Sequence, residues 1–261
     1  MKSIINHCGA TAVDRDSLSM LDEPKPMSQT HCPIRHDYFV NEVETAMGDA
    51  GYTIKAQEYS LQRRWDRKTS ELSCDNLFGM MELQNCKGHE DIGRIVGLRN
   101  SSTMHFRAQL GCGGRVFVCD NLCFSAEVVV GRRHTIHIKR DLPKLLTGAM
   151  FEVNKEFLRN EMRVDIYKDT PLDRTELHDI AMVAMRAGAI PPSTLRPWIK
   201  TYNNPQHEEF RRKDCWALQN AFTEVAKKWP FRIMQERTQK LIKVIDAMID
   251  IESKLESVDA A

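Results

Sequence analysis

The hydrophobic period of this chain changes from two to helical spacing near Asp141, and that change constrains the fold more than any other feature. Between Tyr52 and Ile138 apolar residues recur with period two, in short runs broken by glycine or polar turns. After Asp141 they recur at helical spacing. Period two places alternate side chains on one face of a strand; a period near 3.6 places them on one stripe of a helix. Strands grouped first and helices grouped afterwards argue for an α+β fold rather than a doubly wound α/β sheet. The expectation is a mostly antiparallel sheet of six or seven strands over about residues 52–138, followed by and packed against C-terminal helices over about 141–261.

Strands are expected at Tyr52–Leu61, Leu77–Leu83, Arg94–Arg99, His105–Leu110, Arg115–Cys119, Ala126–Val130 and Thr135–Ile138. Gly111-Cys112-Gly113-Gly114 reads as a hairpin turn, because glycine reaches positive φ without steric cost. Gly131-Arg132-Arg133 reads as a second hairpin turn. Ahead of the sheet a helix is expected over about residues 33–49, with Pro33 near its first turn and Gly48 and Gly51 closing it. Residues 1–32, which include Asp22-Glu23-Pro24-Lys25-Pro26, read as an irregular arm before a single domain of residues 33–261. Behind the sheet, helices are expected at Leu145–Met162, Leu177–Ala187, Glu208–Lys228 and Phe231–Leu255, with Pro191-Pro192 marking a loop.

Composition excludes some classes of function. No run approaches eighteen apolar residues, so no membrane span and no membrane partner is expected. The N-terminus lacks an apolar signal core, and eight cysteines in 261 residues are too sparse for a disulfide scaffold. Both point to a cytoplasmic protein with reduced thiols. Lys plus Arg number 37 against 36 Asp plus Glu, so global charge does not select a polyanion. The distribution is uneven, however. Residues 94–140 carry eight basic side chains (Arg94, Arg99, Arg107, Arg115, Arg132, Arg133, Lys139, Arg140) against Asp120 and Glu127, a local excess of +6. A nucleic-acid footprint is local in this way, and a solvated sheet face is the plainer alternative. Phe106, Phe117 and Phe124 are interleaved with these cations, as rings that stack on unpaired bases would be; Phe117, between Val116 and Val118, reads as core.

Catalytic signatures are absent. There is no P-loop, no dinucleotide-binding glycine motif after a strand, no nucleophile elbow, no H-E-x-x-H and no EF-hand loop. Cys112, Cys119 and Cys123, with His134 and His137, form the sharpest metal candidate, since thiolate and imidazole suit tetrahedral zinc. Cys119 and Cys123 lack the tight C-x-x-C spacing, and His134 and His137 point to opposite faces of a strand. No metal and no cofactor is therefore expected. His7-Cys8 and His31-Cys32 are adjacent pairs that nothing in the sequence completes.

Three motifs carry a resemblance: Arg99-Asn100-Ser101, Val118-Cys119-Asp120-Asn121, and Trp216-Ala217-Leu218-Gln219-Asn220-Ala221-Phe222-Thr223-Glu224. With them the chain resembles, over about residues 75–245, a phage- and plasmid-borne family of unknown function with R-N-S, V-C-x-N and W-x-L-x-N-A-x-T-E motifs. The resemblance implies a mobile-element protein acting inside a bacterial cell and supplies no catalytic residue. Asn100, Ser101 and Asn121 fall at strand ends, where short polar side chains fix loops. Asn220, Thr223 and Glu224 share one helical turn; if that turn faces the strand ends, Arg99 is placed to pair with Glu224. Loop fixation and a ligand site stand side by side for this cluster.

The expected function is that of a non-catalytic phage or plasmid accessory protein binding nucleic acid, DNA first, through Arg99, Arg107, Arg115, Arg132, Arg133, Lys139 and Arg140. By fold analogy it is similar to single-strand-annealing recombination proteins, which work without nucleotide hydrolysis and often as homo-oligomeric rings. The alternative is a protein-binding inhibitor of a host defence or regulatory factor. Arg132, Arg133, Lys139 and Arg140 are expected to lead polyanion binding, with Arg132 and Arg133 exposed at a glycine turn.

Overall fold

The computed structural model describes residues 10–66, 71–84, 89, 90, 92–116, 122, 123, 128–227, 229 and 231–253. It is an α+β protein. A seven-stranded sheet runs in the order β1 (Thr11–Val13), β2 (Ile54–Asp66), β3 (Glu71–Leu83), β4 (Ile92–Ser101), β5 (Ala108–Val116) and β6 (Leu122–Cys123), with β7 (Val128–Arg132) also paired to β5. Every pairing with a described register is antiparallel. Helices α1 (Arg15–Ser19) and α2 (His36–Asp49) precede the sheet after β1. Helices α3 (Ile138–Lys168), α4 (Arg174–Arg186), α5 (Pro192–Asn203), α6 (Cys215–Ala226) and α7 (Phe231–Met248) follow it. The chain divides into two compact units. One is Met1–Gly88, Arg94–Cys112 and Ala126–Glu156; the other is His89–Gly93, Gly113–Ser125 and Phe157–Ala261.

In the first unit the register fixes which residues share a face. Leu77 lies opposite Leu61 and Asn100, Gly79 opposite Tyr59 and Leu98, and Met81 opposite Gln57 and Val96. This face is apolar, and α2 lies over it. Phe39, Val40, Val43 and Met47 of α2 are fully buried. The Asn100 amide donates to the Ile34 carbonyl at 3.2 Å, and the Gln57 amide donates to Glu44 at 2.9 Å. The opposite face carries Asn76, Phe78 and Met80 of β3 against Ser101, Arg99 and Gly97 of β4.

The lead-in is part of this unit rather than an irregular arm throughout: β1 pairs with Tyr59–Leu61, and Asp14 caps α1 by accepting the Ser17 N–H at 2.8 Å. α3 begins earlier than its apolar stripe, at Ile138, and contains Pro143. Proline has no N–H, so the carbonyl four residues back, that of Lys139, lacks its helical donor. The Tyr38 hydroxyl of α2 donates to that carbonyl at 3.4 Å.

Both expected glycine turns are corrected. Gly111–Gly114 runs inside β5, with Gly111 opposite Val128 at a register shift and Gly114 opposite Cys123. Here the glycines lie in a paired strand that bulges rather than in a reversal, and a Cβ on Gly114 would make ordinary contact with the Ile92 side chain at 3.4 Å. Gly131 and Arg132 are likewise in β7, opposite Gln109 and Ala108, and the expected Thr135–Ile138 strand is replaced by a single bridge at Thr135 and the start of α3.

The second unit is helical, and its core centres on α6, of whose twelve residues ten are buried. A helix apolar on every side is enclosed by its neighbours. Trp198 of α5 is fully buried, donates from its indole N–H to the Leu218 carbonyl at 3.0 Å, and meets the Phe222 ring edge-on at 6.1 Å. The expected helix at Glu208–Lys228 is divided. A 3₁₀ turn at Glu208–Arg212 ends at Lys213, whose φ of 59° is left-handed, and Asp214 then caps α6 by accepting the Ala217 N–H at 2.7 Å. The Pro191-Pro192 loop is corrected too: Pro192 opens α5, where its missing N–H is no loss.

Gly79 is the tightest point of the sheet. A Cβ there would lie 2.7 Å from Leu98 Cδ1 and 2.9 Å from Tyr59 Cδ1, and both neighbours are buried. Gly79→Ala is expected to destabilise the protein by about 1–3 kcal/mol through overpacking. Urea titration checks this, and an unchanged midpoint would mean the sheet can part at this position.

Candidate functional site

The site grows from the first unit, where the chain leaves β4 at Ser101 and re-enters the sheet at Ala108. Ser101 is fully buried and donates to Asn76 Oδ1 at 2.7 Å, and it also meets Thr103 Oγ1 at 3.0 Å. These bonds hold the 102–107 segment, which carries Phe106 and Arg107. Register puts Phe78 and Arg99 opposite each other on one face. The Phe78 ring lies 5.7 Å from that of Phe106, and the Arg99 guanidinium sits 5.2 Å from the Phe106 centroid. A cation at that distance is attracted by the ring quadrupole. Gln109 orients Arg99 by accepting from its Nε at 2.5 Å.

Beside Phe106 lies a cavity of about 460 Å³, lined on one side by Thr103, Phe106 and Arg107 and on the other by His31, Arg133 and His134. Arg107 and Arg133 are exposed, and neither has a carboxylate partner among the described residues. His31 and His134 are 5% and 7% exposed, with ring centroids 5.9 Å apart. A backbone bridge from His31 to Thr135, with the Cys32 N–H donated to the His134 carbonyl at 3.0 Å, fixes this approach. His31 Nδ1 accepts the Met27 N–H at 3.1 Å, so in the neutral ring the proton is on Nε2. Nε2 of His31 and both ring nitrogens of His134 find no hydrogen-bond partner among the described residues. Burial, followed by the charges of His31 and His36, pulls the His134 pKa down to about 4, and burial lowers that of His31. Both imidazoles are thus neutral at pH 7.

The structure separates the expected cationic residues by what they touch. Arg99, Arg107 and Arg133 gather at Phe106 and its cavity. Arg132 and Arg140 are spent on one carboxylate: Asp141 accepts from Arg132 at 2.5 Å and from Arg140 at 2.8 Å. The Arg140 hydrogen bond is the main cause holding the Asp141 pKa below the usual range. Arg132 is therefore a half-buried strand residue, not the exposed turn residue expected. Lys139 is exposed on the first turn of α3. Arg115 lies in β5 opposite Leu122, and only its backbone is described.

The motif cluster makes local bonds. Asn100 is fully buried and meets His36 Nδ1 at 3.0 Å. In α6, Asn220 donates to the Trp216 carbonyl at 2.9 Å, Thr223 to that of Gln219 at 3.1 Å, and Glu224 pairs with Lys227 at 2.6 Å. Glu224 thus has a partner one turn on, and Arg99 is engaged by Gln109 and Phe106. Asn220 and Glu224 also line a depression of about 20 Å³, room for little more than a water. Asn121, Cys119, Phe117 and Phe124 lie outside the described residues. Cys112 is buried, which pushes its thiol up to about 12, and Cys123 is described by backbone alone. No group of three or more metal-ligating side chains occurs among the described residues, and no described helix is long and apolar enough to cross a membrane. No family model, curated protein or solved structure matches the chain.

The His134 shift sets a stability profile. Its folded pKa lies below the unfolded value of 6.5, so the unfolded chain binds the extra proton first. Its contribution is whole above pH 6.5, declines as pH falls, and levels off below about 4. The lost increment is up to about 3 kcal/mol. Urea unfolding of the parent and of His134→Gln at pH 7 and pH 4.5 checks this. The parent is expected to lose more stability than the variant, and equal losses would place His134 in a wet environment.

Proposed function

We propose that the protein binds single-stranded nucleic acid, DNA first, through Arg107, Arg133, Arg99 and Phe106. One observation carries the reading: two exposed cations without carboxylate partners among the described residues share a cavity with an aromatic ring that a third cation holds in place. Phosphates take the cations, which lie at the surface and need no desolvation. Each base stacked on an aromatic ring contributes about 1–3 kcal/mol, and stacking requires unpaired bases. The +6 excess of residues 94–140 supplies longer-range attraction, and Lys139 extends the cationic surface. Arg132 and Arg140, already paired with Asp141, contribute less than the sequence alone suggests. The resemblance to phage and plasmid proteins makes this a mobile-element accessory function, non-catalytic and carried out in the cytoplasm of a bacterial host.

A second reading, the protein-binding inhibitor of a host factor, draws on one different observation. Phe151 of α3 is 77% exposed. Burying such a ring against a protein partner would be favourable.

Fluorescence anisotropy with single- and double-stranded oligonucleotides at two salt concentrations tests the first reading. Arg107→Ala/Arg133→Ala is expected to keep thermal stability within about 0.5 kcal/mol. It should weaken single-strand binding and reduce the salt slope by about two, roughly one per lost phosphate contact. Parent-like binding by the double variant, or no binding by the parent at low salt, would reject the reading and leave the Phe151 surface to be tested by Phe151→Ser.

A further inference from the structure

The exposed face of α3 in the first unit carries a pattern that the packing of that unit does not use. Gly148 lies inside this helix, and a Cβ there would meet nothing within 4 Å among the described residues. Glycine weakens a helix relative to alanine, so its presence at an open position has no reason in the chain's own packing. At 3.6 residues per turn, Lys144, Leu145, Phe151, Glu152 and Lys155 all lie within about 60° of Gly148 on one face. All six positions are exposed. Leu145 is 42% and Phe151 77% exposed. Lys144, Glu152 and Lys155 have no ion-pair partner among the described residues.

This face is complementary to itself about Gly148. Three residues before and after the glycine stand Leu145 and Phe151, both apolar. Four before and after stand Lys144 and Glu152, of opposite charge, and seven before and after stand Asp141 and Lys155, again opposite. Two antiparallel copies of α3 crossing at Gly148 bring each position level with its mirror position in the other copy. Apolar then meets apolar and cation meets anion, each contact made twice, as a two-fold axis requires. Glycine at the crossing lets the helix axes approach to about 8 Å, the near end of helix packing distances. Asp141 is already shared by Arg132 and Arg140, so the Lys144–Glu152 pairs lead. We infer that this face is an isologous interface with a second copy of the chain. A chemically unrelated partner has no need of the inversion about Gly148, whereas a second copy depends on it. The rotation closes, so the assembly is a dimer. The interface goes beyond the strand-binding reading and does not depend on it.

Sedimentation equilibrium of the full chain over a range of protein concentrations tests this. A reversible dimer is expected, weakened by added salt. Phe151→Ser is expected to weaken it about tenfold or more. Gly148→Leu is expected to weaken it as well, while raising the melting temperature of the dilute monomer, because leucine favours the helix and only the second copy stands in its way. Lys144→Glu and Glu152→Lys each set like charges against one another twice, and each is expected to give monomer. The double variant Lys144→Glu/Glu152→Lys restores opposite charges, and so does an equimolar mixture of the two single variants; both are expected to dimerise. The substituted positions are exposed, so the fold is kept, which circular dichroism checks. A parent that stays monomeric at every concentration overturns the interface and leaves Phe151 to a host factor. A dimer that ignores the single charge exchanges, or that the double exchange fails to restore, overturns it too, since the copies then meet elsewhere.

Discussion

The alignment of β3 against β4 is the constraint on which the first unit depends. Leu77 opposite Asn100 sends one set of side chains toward α2, and Phe78 opposite Arg99 sends the other set to the reverse face. Strand geometry makes these choices inseparable. A slip of β3 by one residue would bring Phe78 under α2, away from Arg99, and turn Leu77 outward. Gly79 helps to exclude the slip, since Tyr59 and Leu98 close over it from both sides and a side chain shifted into that place would collide with them. The stacked Phe106–Arg99 pair is therefore a consequence of how α2 covers the apolar face.

Several polar side chains of the second unit are taken up in helix construction. Asp214 caps α6, Asn220 and Thr223 return their protons to carbonyls one turn back, and Tyr167 donates to Asp246 at 2.6 Å, which Arg163 also holds. In the first unit His31 and His134 are buried with ring nitrogens that no described group satisfies.

The fold class was legible because it rests on local periodicity. The change from period two to helical spacing survives in the structure, as do the Leu77–Leu83 and Arg94–Arg99 segments within β3 and β4. The glycines misled because Gly111–Gly114 has the composition of a turn, while the segment runs inside β5 with a register shift at Gly111. Arg132 misled for the same reason, since a strand continuing through Gly131 reaches Asp141. The local cation excess was visible, but its division into residues at the cavity and residues held by Asp141 required coordinates. The histidine pair was not legible at all. His134 stood out only beside its chain neighbour His137, and its true neighbour His31 comes from the lead-in, joined by a bridge that no spacing rule anticipates.

Pro143 carries a consequence for how α3 is anchored. A helix normally supplies its own carbonyls with donors from one turn on. At the start of α3 the proline has no N–H for the Lys139 carbonyl, and a hydroxyl on α2 donates there instead. The entry to α3, a few residues past Arg133 and His134 in the cavity wall, is therefore tied to α2 as well as to its own helix.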